Sequence, residues 1–152
     1  MKSKAVSIIA GLAIVVGLGT VSGGVAGAVY TSNAAATEMV VTGDDASIPN
    51  AEVRGPFTMK AQADNIEKHT LGMTDGKRYA EMDRDDPVRP VWVTATTLRT
   101  ALHMGMLAYG IAALAVALGL VQISTGAALL VINKRGKYCQ RIEELPEVGL
   151  TA

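Results

Sequence analysis

The chain has 152 residues, of which 49% are hydrophobic and 18% charged, with zero net formal charge and a mean hydropathy of +0.29. The charged share is below the quarter usual in soluble domains, and the deficit is localised. No charge lies between Lys4 and Glu38 or between Arg99 and Lys134, stretches of 33 and 34 residues. A chain this short cannot hide two such stretches from water, which excludes an ordinary soluble enzyme, a disordered chain and a disulfide-rich secreted domain.

The first stretch, Ala5 to Tyr30, supplies 26 uncharged residues, roughly 39 Å as a helix, against the ~20 residues that a bilayer core requires. Lys2 and Lys4 ahead of it, and the small residues at Asn33-Ala34-Ala35-Ala36 after it, also fit a cleaved signal peptide. The run exceeds the roughly 7–15 residues of a signal hydrophobic region, so the expectation is an uncleaved signal anchor. Gly19, Gly23 and Gly27 recur every four residues on one helix face. Small residues let helix backbones approach closely in lipid, so this row is the candidate packing face. The sequence leaves open whether its partner is this chain's second helix, a second copy or another protein.

From Thr31 to Pro56 the chain reads as loop with a β-prone Thr37–Thr42, followed by turn signals at Gly43-Asp44-Asp45 and Pro49-Asn50. Thr58 is placed to cap a helix running to about Leu71, with Gly72 as its stop. Thr74-Asp75-Gly76-Lys77 is a turn, and Asp86-Pro87 can open a helix that runs into the second span, with Pro90 delaying its start. Apolar residues outside the spans are too few for an independent core, so the outer segment is expected to fold as a cap.

Ala101 to Ile132 carries no formal charge and is longer than one span needs. Ala101, Gly105, Ala108, Ala112, Ala115 and Gly119 form a small-residue stripe able to face the first helix, and Gln122 is expected to hydrogen-bond across the interface. Lys2 and Lys4 flank one span; Lys134, Arg135, Lys137 and Arg141 follow the other. The positive-inside rule puts both termini in the cytoplasm. The segment from Thr31 to Arg99, with 8 basic and 11 acidic residues, then lies outside. The predicted architecture is an all-α membrane protein, an antiparallel two-helix transmembrane hairpin. It comprises helix 1 at 5–30, a partly helical extracytoplasmic segment at 31–99, helix 2 at 100–132 and a cytoplasmic tail at 133–152.

Chemistry-bearing patterns are few. Glu81, Asp83, Asp85 and Asp86 are spaced for a hard cation, but the EF-hand pattern fails at Pro87 and Val88, and Arg84 and Arg89 interleave. His69 and His103 lack neighbouring ligands at zinc spacing, and Cys139 is the only cysteine. Zero net charge argues against nucleic acid. No metal, cofactor or catalytic set is expected, and the chain is read as no enzyme.

Three strings carry a resemblance: Gly55-Pro56-Phe57-Thr58 with Ala61-Gln62-Ala63-Asp64-x-Ile66-x-Lys68-His69-x-Leu71; Gly76-Lys77-x-Tyr79-Ala80-Glu81-Met82-Asp83-Arg84-Asp85-Asp86-Pro87; and Ala95-x-x-Leu98-Arg99. They resemble a group of small actinobacterial, mycobacterial-type two-span membrane proteins, over roughly Gly55 to Leu130. The resemblance implies a plasma-membrane protein with an exposed docking surface at Tyr79, Glu81, Asp83, Asp85 and Asp86. Some members of that group carry the label aromatic ring-opening dioxygenase. Such enzymes hold iron with two histidines and a carboxylate, and here His69 and His103 are 34 positions apart with no such motif. The expected role is structural or accessory, packing against envelope or respiratory membrane subunits or against itself. The rival expectation is a membrane-bound enzyme or ion-handling protein using the outer acidic cluster.

Overall fold

A computed structural model describes residues 2–143 and the side chains of 4–138. The side chains of Lys2, Cys139 and Arg141, and the tail beyond Glu143, lie outside the described residues. Three α-helices follow in order, α1 (Lys2–Thr37), α2 (Pro56–Met73) and α3 (Arg89–Glu143), with one 3-10 turn at Tyr79–Glu81. Among the described residues there is no strand, only an isolated bridge between Val41 and Glu52. Two helices are long and apolar enough to cross a membrane. In the most apolar window of each only 11% of residues are buried, unlike the core helix of a soluble protein.

Four boundaries differ from the expectation. The stretch 31–37, expected as loop, continues α1: Ala34-Ala35-Ala36 are the best helix formers, and no proline or glycine interrupts them. The chain leaves the helix at Met39, which adopts a positive φ of 51°. The β-prone run yields the single bridge, because Thr42 Oγ1 instead donates to Ile48 O and accepts from the Ala51 N–H, closing a tight loop. Helix α2 begins a turn before Thr58, with Gly55 as cap and Pro56 in the first turn. Thr58 still secures that end, its hydroxyl accepting from the Gly55 N–H and donating to the Gly55 carbonyl. Gly72 lies inside α2; the stop comes at Thr74, and Gly76, at φ 77°, sends its N–H back to Leu71 O at 2.8 Å. A left-handed residue past the last turn, not the first glycine met, ends the helix. Asp86 does not cap α3: its carboxylate accepts from the Val88 N–H at 2.9 Å, closing a turn ahead of the helix, which begins at Arg89 with Pro90 in its first turn.

The chain divides into two compact units, one of residues up to Gly23 with those from Leu114 on, the other Gly24–Ala113. In the first, α1 and α3 run side by side in opposite directions. A β-carbon on Gly17 would lie 2.7 Å from the Gly119 carbonyl, one on Gly119 would lie 2.6 Å from the Gly17 carbonyl, and one on Gly126 would lie 2.7 Å from the Ala10 carbonyl. Ala10, Gly17, Gly119 and Gly126 are all buried, and Asn133 Nδ2 donates to Ser7 Oγ at 2.9 Å. Contact residues seven apart are what two helices need to stay together over several turns. Backbone-to-backbone contact of this kind is open only to glycine.

In the second unit, α2 lies against α3 and shares its core: Val53, Met59, Ala61 and Ala63 are buried, as are Met82, Trp92 and Ala95. Two contacts fix how far along α3 this packing reaches. A β-carbon on Gly105 would lie 2.7 Å from Met59 Sδ, and Tyr109 OH donates to Arg54 O. The first turns of the charge-free stretch on α3 therefore face α2.

Candidate functional site

Three places in the molecule could carry function: the small-residue faces, the Gly76–Pro87 segment, and a cleft in the second unit.

The small-residue faces are split. Gly119 lies in the α1–α3 seam and Ala112 is buried, whereas Gly105 meets Met59 of α2. Gly19, Gly23 and Gly27 face open space, with nothing within 4 Å of the β-carbon position at any of them. Gly119, expected at a packing face, is in the seam, whereas Gly17 and Gly126 were not foreseen; their signal was the seven-residue spacing of Ala10 and Gly17, matched by that of Gly119 and Gly126. Gln122 does not form the hydrogen bond expected of it: its Oε1 is buried and without a partner.

The Gly76–Pro87 segment is clamped to the helices. Trp92 Nε1 donates to Lys77 O at 2.8 Å and is also 3.3 Å from the buried Thr74 hydroxyl. Arg89 stacks over the Tyr79 ring, 4.2 Å from its centroid, a favourable cation–π geometry. Glu67 of α2 pairs with Arg78 at 2.8 Å through Oε1 and with Arg99 of α3 at 2.5 Å through Oε2. Glu81 turns inward on its own backbone, accepting the Arg78 N–H at 2.7 Å, which accounts for its place in the 3-10 turn. Asp83 and Asp85 are exposed, and Asp86 accepts the Val88 N–H in the turn before α3. The acidic residues therefore do not converge, and among the described residues no group of three His, Cys, Asp or Glu could hold a metal.

The histidines are separate. His69 Nε2 lies 2.8 Å from Asp45 Oδ2, which also takes Lys68 Nζ at 2.8 Å. Lys68 first, then His69 and Asn65, hold the Asp45 carboxyl well below the usual carboxylate range. His103 is exposed on α3.

No sequence pattern announced the cleft in the second unit. It encloses about 590 Å³ between α1, α2 and α3, within the roughly 300–1,000 Å³ typical of small-molecule sites. Ala34, Ala35 and Glu38 form one wall, Met59, Gln62 and Ile66 a second, and Leu98, Ala101 and Leu102 a third. Its residues come from three separated segments, so no local spacing could have shown it. Comparison with protein-family models, curated proteins and solved structures finds no match.

Proposed function

We propose that the chain is an integral membrane protein of accessory type, which docks a partner helix on the Gly19/Gly23/Gly27 face and presents its outer segment to that partner. The observation that carries this reading is the division of labour between glycines. The intrachain seam uses Gly17, Gly119 and Gly126, so the four-residue row is left open on the outside of α1. Close-packed rows of that spacing are what a second helix uses in lipid. The rest of the two helices' surface is apolar as lipid requires: Leu12, Val16 and Val25 on α1, and Leu114, Leu118 and Val121 on α3, are each more than half exposed.

The aromatic residues support a bilayer position. Tyr30 is 75% and Phe57 79% exposed, Tyr109 bonds Arg54 three residues before Phe57, and Tyr138 lies exposed among Lys134, Arg135 and Lys137. Aromatic side chains gather at the two faces of a bilayer, and basic residues on its cytoplasmic side. Twenty-nine residues separate Tyr109 from Tyr138, roughly 44 Å of helix, which matches a bilayer of about 40–45 Å with its headgroups. On this reading both termini are cytoplasmic and 31–99 is outside, in the plasma membrane of an actinobacterial-type cell. The N-terminal segment serves as an uncleaved anchor, and the role requires no catalytic residue or cofactor.

The test is Gly23→Leu. It keeps the segment apolar, so membrane insertion survives, while the partner face is blocked. The expected outcome is loss of the co-purifying subunit, or of self-association, in mild detergent, with Val25→Leu behaving as wild type. An unchanged set of co-purifying chains in Gly23→Leu would remove the docking face from the account.

A further inference from the structure

We propose that a fourth place, the end of the α1–α3 pair at Ser7 and Asn133, binds the phosphate of an anionic phospholipid between Lys4 and Lys137. The hydrogen bond from Asn133 Nδ2 to Ser7 Oγ, 2.9 Å long, sets the register of the two helices there. Lys4 lies three residues before Ser7, and Lys137 four residues after Asn133. Those spacings keep each lysine on the helix face that carries the hydrogen bond. Because the helices run in opposite directions, both steps lead away from the apolar stretch, by roughly 4.5 and 6 Å. Two lysines on facing helix faces therefore come nearly level. Both are exposed, and among the described residues neither has an ion pair. The first unit offers them none, since 4–23 and 114–138 include no Asp or Glu.

Two ammonium groups brought level without a carboxylate repel each other, and an anion between them replaces that repulsion with attraction. A phosphate suits cations from two different helices, because its oxygens accept charge-assisted hydrogen bonds from both at once. The surface beside the lysines makes that phosphate a lipid's. Ile8 and Leu12 on α1, and Val131 and Ile132 on α3, are each more than half exposed. This apolar surface begins one residue inside the Ser7–Asn133 bond on either helix. Acyl chains attached to the phosphate lie along it, whereas a free phosphate or a nucleic-acid backbone leaves it bare. Basic clusters at the end of a membrane helix attract anionic lipid for the same reason.

The proposal rests on the membrane reading of the two helices, and it is tested on the purified full-length chain in detergent micelles, where orientation plays no part. Native mass spectrometry counts the lipid retained from phosphatidylglycerol and from phosphatidylcholine with the same acyl chains, with and without inorganic phosphate as competitor. Phosphatidylglycerol is expected to bind about tenfold more tightly than phosphatidylcholine, and phosphate should not displace it. Lys4→Gln and Lys137→Gln should each weaken that binding about fivefold, or ~1 kcal/mol, the usual contribution of one basic residue beside anionic lipid. Lys4→Arg and Lys137→Arg keep the charge and should keep the affinity. Arg135→Gln removes the same charge two residues past Asn133, roughly 200° round the helix, and should leave binding unchanged. Weakening by Arg135→Gln equal to that by the lysine variants would reduce the effect to net charge. That result, equal retention of the two lipids, or displacement by phosphate overturns the proposal and leaves the membrane reading in place. Recovery of the chain in the soluble fraction of cells overturns both.

Discussion

The sulfur of Met59 sits 2.7 Å from where a β-carbon on Gly105 would begin. That contact joins α2 to a stretch of α3 that, by composition, reads as buried in lipid. It gives the start of the uncharged run from 100 to 133 a packing partner within the chain. Gly105→Leu is expected to destabilise the second unit by about 1–3 kcal/mol, the usual range for forcing extra methylenes into a packed contact. The measurement is thermal unfolding in detergent followed by Trp92 fluorescence. Met59→Ala in the same chain should recover part of the loss, since the obstruction is the end of a flexible side chain. Absence of recovery would place the strain elsewhere.

The two long apolar helices were legible because charge is costly in lipid and its absence over 33 and 34 residues is unmistakable in 152. The helix partners were less so. Gly19, Gly23 and Gly27 fit a close-packing spacing as well as Ala10 and Gly17 do, and only the matching seven-residue repeat on α3 selects the second set. Among the outer contacts, Glu67 draws Arg78 and Arg99 from positions 11 and 32 residues away. No periodicity encodes such a bridge. The turn at Asp75-Gly76 was readable because φ values of 51° and 77° demand residues that tolerate the left-handed region. The end of α2 was misplaced by the nearer glycine.

Glu67→Gln should loosen the Gly76–Pro87 segment. The carboxylate is 22% exposed and Arg99 21% exposed, between a surface pair worth about 0–1 kcal/mol and a buried one whose breakage costs about 3–5 kcal/mol. We expect a loss of about 1–2 kcal/mol on that scale, read by faster hydrogen exchange at Tyr79–Met82. Asp64→Asn removes only the exposed pair with Lys60 and should stay within about 0.5 kcal/mol of wild type. Equal effects of the two substitutions would show that the Glu67 bridge is no stronger than a surface pair.

The Asp45 carboxyl, held down by Lys68, His69 and Asn65, gives the second unit an acid limb. A depressed folded-state value stabilises at pH above the ordinary aspartate value of about 3.9, and the contribution is lost as the pH falls below that. Asp45→Asn should therefore lower stability at neutral pH and flatten its decline on the acid side. Parallel pH curves for wild type and variant, offset by a constant, would assign the effect to packing.

Membrane topology supplies the last expectation, and side-chain accessibility decides it. With Cys139 replaced by Ser, a cysteine at Asn50 lies in an exposed outer turn and should react in intact cells with an impermeant maleimide. A cysteine at Leu118, an apolar residue 52% exposed on α3, should resist the reagent before and after permeabilisation, because thiolates do not form in hydrocarbon. The native Cys139, in a chain with no other thiol, should react only after permeabilisation. The three positions separate three arrangements. Labelling of Cys139 in intact cells, with Asn50→Cys silent, inverts the orientation set by the basic flanks. Ready labelling of Leu118→Cys places α3 in water and removes the second span. The pattern outside–protected–inside fits one crossing by α3 with Asn50 exposed, since of the two long apolar helices only α3 lies between that residue and Cys139.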